Sequence, residues 1–328
     1  MKYLLLLFIS FNAFSANIFF ISGDNNFTGP EYSGDAAYLN QARSLYDKVL
    51  QEAPKSNQAT IVFYDPKGSS RWIFRRSRRV KLDIYQNGAW QSYRSSEIDV
   101  SNIADFDWIK NIIQNIQINE KSFFYYYGEH LPMAALGGYD FSNPEGKMGM
   151  SDFLDIFDLF NRVMPIETVL LHTCNNADLL LHSMLAEKGV KTMYSSQKLI
   201  PNNAGDVTDL FKHDFLRFMS KNNNSDYPFE WKSFDLAKEF SFYLDLVMFV
   251  ASMEHKDDFI QNIKNIDTEN SLEQDFYLYP NELLVSLSDF MNHLSFYLSE
   301  KDVERFMELM QRQTDQLVNI SSLEWYLD

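Results

Sequence analysis

Five short runs dominated by β-branched and aromatic residues set the architecture open to this chain: NIFFISG (17–23), ATIVFYD (59–65), SFFYYYG (122–128), ETVLLHT (167–173) and VKTMYSS (190–196). Each has the composition of a buried strand. Between them lie stretches with apolar residues at helical spacing: GDAAYLNQARSLYDKVLQEA (34–53), a segment near 103–117, GMSDFLDIFDLFNRV (149–163) with Ser151 as its expected cap, and NADLLLHSMLAEKG (176–189), closed by Gly189. VKLDIYQNGAWQSY (80–93) adds two shorter strands that read as a hairpin. Strand and helix in alternation build an α/β sandwich on a largely parallel sheet.

The chain changes character after Gly205, its last glycine. From Val207 onward it is predominantly helical and rich in Phe, Leu and Met, with NNNSDYP (222–228) as the clearest loop. Met and Phe stripes at helical spacing form a core rather than a cofactor box. At the other end, MKYLLLLFISFNAFSAN has the form of a secretory signal: Lys2 is a short positive region, Tyr3 to Phe11 an apolar core, and Ala13 and Ser15 small residues before a cut near Ala16. The expected division is a signal peptide over 1–15, an α/β domain over 16–206 and a helical region over 207–328. No later run reaches the roughly 18 apolar residues that a membrane helix needs. The protein is therefore read as exported, secreted or periplasmic, without a membrane span.

A formal charge of −16 argues against binding to nucleic acid. The basic cluster RRSRR (75–79) reads either as the solvated end of two adjoining strands or as a docking patch or processing site. Cys174 is the only cysteine, so no internal disulfide is available. Two readings of it stand: a small buried apolar residue, or a reactive thiol. It follows ETVLLHT, at the carboxyl end of an expected strand, where α/β sheets bind ligands. The helical residues after it would offer N–H groups that lower a thiol's pKa. His130 follows SFFYYYG at the same edge. An imidazole there can take the thiol's proton and later supply one to a leaving amine. His182, His213, His255 and His293 fall in helical segments and read as structural or solvated. No cluster has metal-ligand spacing, so neither a metal nor a cofactor is called for.

An ordered series of segments resembles the clostripain family of cysteine peptidases, which shares one fold with caspases and legumains. FFISGDNNF resembles the family's opening strand and Asp-Asn turn, RRVKLDIYQNGAW its early hairpin, and FFYYYGEH the strand that ends in its catalytic histidine. GGYDFSNPEGKMGMSDFLDIF resembles the acidic loop leading into a helix, IETVLLHTC the strand ending in the catalytic cysteine, and MYSSQKLIPNNAGD the border of the substrate pocket. SFDLAKEFSFYLDLVMFV and NELLVSLSDFMNHL are similar to later helical segments, so the likeness spans most of the chain. It implies a caspase-like sandwich with a mostly parallel central sheet flanked by helices, plus a C-terminal helical extension. It also implies a His130–Cys174 dyad that hydrolyses peptide bonds in a protein or peptide substrate. The oxyanion would be held by the backbone N–H groups of Leu131 and Cys174. His172, Ser196, Gln197 and Asp140 would border the substrate pocket, and Lys147 would mark a processing site.

The chain departs from the family pattern at three places. Leu131 and Pro132 follow His130 where the family has glycine, and proline has no N–H to offer. His172 stands two residues before Cys174 where an aspartate is usual, and Gln197 where a glutamate is common, so the pocket loses the acids that would receive arginine or lysine. His172 itself has two readings, substrate contact or burial by strand alternation. Asp140 reads as a cleft residue or a solvated loop acid, and Asp206 is a further acid nearby. Two functions follow: an exported cysteine endopeptidase, or a weakened relative that binds peptides or proteins through the same edge. No sequence feature assigns an oligomeric state.

Overall fold

The structure, a computed structural model, describes residues 16–22, 35–56, 59–65, 81–94, 107–113, 122–128, 150–173, 177–196, 206–222, 231–263, 284–312 and 316–319. The expected signal peptide, the RRSRR cluster, and His130, Leu131, Asp140, Lys147, Cys174 and Gln197 lie outside the described residues.

All six residues of strand β5 (Ser122–Tyr127) are buried, so the strand needs cover on both faces. It lies between β1 (Ala16–Ser22) and β6 (Ile166–His172) and runs parallel to both. Outward from these, β2 (Ala59–Asp65) is parallel to β1 and β7 (Thr192–Ser195) is parallel to β6. Antiparallel strands close both edges: the hairpin β3 (Lys81–Gln86) and β4 (Ala89–Arg94) beyond β2, and β8 (Lys232–Asp235) beyond β7. The described residues thus form an eight-stranded sheet in the order β4-β3-β2-β1-β5-β6-β7-β8. At the hairpin, Asn87 and Gly88 take φ values of 54° and 79°. That left-handed pair gives the two-residue turn that follows the sheet's twist.

Alternation along the strands sorts side chains into two layers. Phe19, Ile21, Phe123, Tyr125, Tyr127 and Leu170 pack with helices α1 (Asp35–Ser56), α5 (Val207–Phe211) and α6 (Phe215–Asn222). Phe20, Phe124, Tyr126, Val169 and Leu171 pack with α2 (Asp107–Ile113), α3 (Met150–Asn161) and α4 (Leu179–Glu187). Phe124 meets the edges of Phe153, Phe157 and Phe160 on α3. Each such ring contributes about 1.5–3 kcal/mol by leaving water. In the first layer the buried Asp83 carboxylate accepts from Tyr46 Oη of α1 at 2.6 Å and from Ser92 Oγ, and Lys81 Nζ lies 3.0 Å away. This cluster fastens α1 to the edge hairpin. Helix α3 begins at Met150, so Ser151 lies in its first turn rather than at its cap.

Helices α5 and α6 and strand β8 complete the sandwich. Strand β8 carries little sequence signal, because only Phe234 of its four residues is buried. Beyond it, α7 (Leu236–Ser252), α8 (Lys256–Asn262), α9 (Leu287–Leu294) and α10 (Val303–Arg312) gather around a third core that includes Phe242, Leu246, Phe259, Phe290 and Leu309. A short antiparallel pair, β9 (Leu284–Ser286) and β10 (Leu317–Asn319), joins this helical unit. Leu179 and Leu180 of α4 belong to the third core, whereas Leu181 and Leu185 face the sheet. An apolar helix covered on both sides is the expected fate of a sequence such as LLLHSML. Among the described residues, no helix is long and apolar enough to cross a membrane.

Candidate active site

The carboxyl ends of β5 and β6 leave the sheet side by side. Tyr127 is in register with His172, and the Gly128 N–H donates to the His172 carbonyl at 3.4 Å. His130 lies two residues beyond Gly128 in the sequence, and Cys174 two beyond His172. The structure therefore brings together the strand ends from which both dyad candidates follow.

After Cys174 the chain is tied back within a few residues. The Ala177 N–H donates to the carbonyl of Ser196, at the end of β7, at 3.1 Å. Asp178, itself buried, then caps α4: its Oδ1 accepts from the backbone N–H groups of Leu180 at 2.7 Å and Leu181 at 3.0 Å. Those two N–H groups are thus taken by a carboxylate.

His172 turns its side chain into the layer of α1, α5 and α6, where it is 3% exposed. Its Nδ1 lies 2.7 Å from the Tyr125 hydroxyl. The rings of Tyr127 and Trp231 meet it edge-on, with centroids 5.1 Å and 5.3 Å away. Burial, with Tyr127 alongside, pushes the Tyr125 phenol well above its ordinary range, so it keeps its proton. Which of the two donates in the Tyr125–His172 bond depends on the imidazole tautomer. Ser196 is fully buried. Asp206 is engaged elsewhere: Oδ1 accepts from the Thr208 N–H at 3.1 Å, and Oδ2 pairs with Lys221 Nζ at 3.1 Å. The Thr208 bond and then Lys221 hold its carboxyl down at about 2.

Of the other histidines, His182 is buried on α4, His213 stands edge-on to Phe123, His255 is exposed beside Asp258, and His293 contacts the rings of Phe259 and Tyr297. Among the described residues, no group of three or more His, Cys, Asp or Glu side chains could hold a metal ion. Sequence reasoning missed Tyr125 and Trp231. The tyrosine had a signal, since period-two alternation from Tyr127 puts it on the His172 face; the tryptophan reaches the site through a distant connection.

No family model matches this chain, and no curated protein matches it in sequence. Its structure is similar to the X-ray structure of a secreted C11 cysteine protease from Bacteroides thetaiotaomicron in complex with an irreversible peptide inhibitor, with a TM-score of 0.53 and 11% sequence identity. The match covers 91% of this chain and 82% of that one. C11 peptidases are the clostripain family, so the chain has an α/β fold of the caspase-like type.

The Asp178 cap gives a direct test of how α4 is seated. Asp178→Ala should lower stability by about 1–2 kcal/mol, and Asp178→Asn should recover most of it. Urea midpoints at neutral pH measure both; an unchanged midpoint in the alanine variant would show that the cap does not hold the helix.

Proposed function

We propose that this chain is an exported cysteine endopeptidase in which His130 and Cys174 form the catalytic dyad. The observation that carries the reading is the pairing of β5 with β6, Tyr127 opposite His172, within a fold shared with a C11 protease. His130 follows three positions after Tyr127, and Cys174 two positions after His172.

In the proposed reaction, His130 takes the Cys174 proton and the thiolate attacks the peptide carbonyl, forming a carbon–sulfur bond. The oxyanion is held by the N–H groups of Leu131 and Cys174. Imidazolium returns its proton to the amine as the carbon–nitrogen bond breaks, and water activated by the same imidazole then hydrolyses the thioester. Pro132 adds no donor, so Leu131 is the backbone group this reading relies on next to the histidine. Residues 1–15 direct export to the periplasm or the exterior, and protein or peptide chains are the substrates.

Cys174→Ala should abolish cleavage of a casein or peptide-library substrate, and His130→Ala should reduce kcat/KM by about 100-fold or more. A peptide-like thiol electrophile should add one label to the native chain and none to Cys174→Ala. A native chain that binds peptides without labelling or cleavage would instead be the binding module.

Lys147 is the proposed processing site between the two dyad residues. Intact-mass measurement should show two fragments in active protein, and fully active uncut chain would refute a required cut there.

The pocket border is proposed to run through His172, Ser196, Gln197 and Asp140; with the side chains of His172 and Ser196 buried, a substrate side chain would meet Gln197 and Asp140 first. A pocket for arginine or lysine needs a carboxylate to offset the desolvation of the cation. The two positions matched to the family's acids carry His172 and Gln197, and Asp206 is committed to Thr208 and Lys221. Peptide-library profiling should therefore give weak cleavage after arginine or lysine and preference for an uncharged polar, aromatic or acidic residue. Strong arginine preference would overturn this and point to Asp140.

A further inference from the structure

His182 lies where α4, α7 and β10 meet. Its Nδ1 is 3.0 Å from Gln316 Nε2, and the same amide nitrogen donates to Glu239 Oε2. The Gln316 carbonyl oxygen of the backbone accepts from the Leu287 N–H at the start of α9, at 2.8 Å. His182 and Gln316 are fully buried and Glu239 nearly so. One glutamine thus ties the helix that follows the Cys174 segment to three elements of the C-terminal unit.

With Glu239 ionised and the amide oriented as it stands, the arrangement takes one protonation state. The amide has two hydrogens, and with one on the Glu239 carboxylate the other needs a lone pair at His182 Nδ1. The imidazole is therefore neutral, with its hydrogen on Nε2. That nitrogen and Gln316 Oε1 are both buried without a hydrogen-bond partner; the amide oxygen could receive a second imidazole hydrogen only by turning toward Nδ1, where the amide nitrogen now stands. A proton on Nδ1 would face the amide N–H. Turning the amide would put its oxygen against the Glu239 carboxylate. The remaining close neighbour is the Phe234 ring, with centroids 4.5 Å apart.

Charged groups on the packed elements do not relieve this. Glu239 of α7 is the one that enters the cluster among the described residues. Tyr243 is the next buried titratable group of α7. Asp235, Lys238 and Glu187 are exposed, and Asp245 pairs with Arg312 at the surface. Residues 316–319 carry no charge.

We propose that His182, Gln316 and Glu239 form an acid-released clasp: at neutral pH it seats the C-terminal helical unit against α4, and in mild acid it lets go. Burial holds the His182 imidazole down at about 3, against about 6.5 for the free group. The open state therefore binds more protons between those values. The clasp is intact above about pH 6.5, and each pH unit below it shifts the closed-to-open ratio by up to tenfold toward open, until about pH 3. The inference is independent of the peptidase reading, because it concerns only how two parts of the chain are joined.

Hydrogen–deuterium exchange of the purified full-length protein at pH 7 and pH 4.5, corrected for intrinsic rates, tests it. Peptides covering α4, α7 and residues 316–319 should lose protection together at pH 4.5, while those covering β5 and β6 keep theirs. His182→Asn offers an acceptor near the Nδ1 position that does not titrate, and it should stay protected at both pH values. Glu239→Gln, which lets the amide turn, should move the release to lower pH. Equal protection of the wild type at the two pH values, or equal loss in His182→Asn and wild type, would overturn the clasp.

Discussion

Because every residue of β5 is buried, from Ser122 to Tyr127, the strand cannot serve as an edge or as a sheet with one wet face. It needs a strand on each side and a helical layer above and below. Parallel neighbours meet the first need, since β1 and β6 both run with it, and their connections must then cross the sheet and supply the helices. The same geometry sends the carboxyl ends of β1, β5, β6 and β7 to one side of the molecule. Where chemistry can be built on this chain is thus a consequence of one aromatic strand.

Helix α4 carries the second structural burden. Residues Leu179 to Ser183 and Leu185 are buried, some against the sheet and some against the C-terminal helices. Its start is pinned by the Asp178 cap and its middle by the polar cluster around His182. The helix is the common wall of the sandwich and the helical unit.

Much of this frame was legible in the sequence. The five central parallel strands are long enough, and apolar enough, to declare themselves. Strand β8 was not legible: its four residues hold one buried ring, and its strand identity comes from pairing with β7. The three-residue strands β9 and β10 depend in the same way on each other. The bonds among His182, Glu239 and Gln316 join residues 77 and 134 positions apart in the chain, where no local pattern records a partner. At the candidate site, alternation left His172 with two readings that only its packing against Tyr125 and Trp231 distinguishes.

The chemical character of the strand ends follows from where the acids have gone. The chain carries 45 acidic residues, yet those described around this edge are each committed to structure. Asp178 holds the first N–H groups of α4, Asp206 caps α5 and pairs with Lys221, and Asp209 is buried against the same lysine at 2.5 Å. What surrounds His172 among the described residues at the end of β6 carries no charge: a phenol that keeps its proton and the edges of Tyr127 and Trp231. A carboxylate introduced into that layer would have to find donors among aromatic rings. The absence of acids at His172 and Gln197 is thereby matched by the surroundings of His172, which are suited to neutral groups and poorly suited to a buried charge.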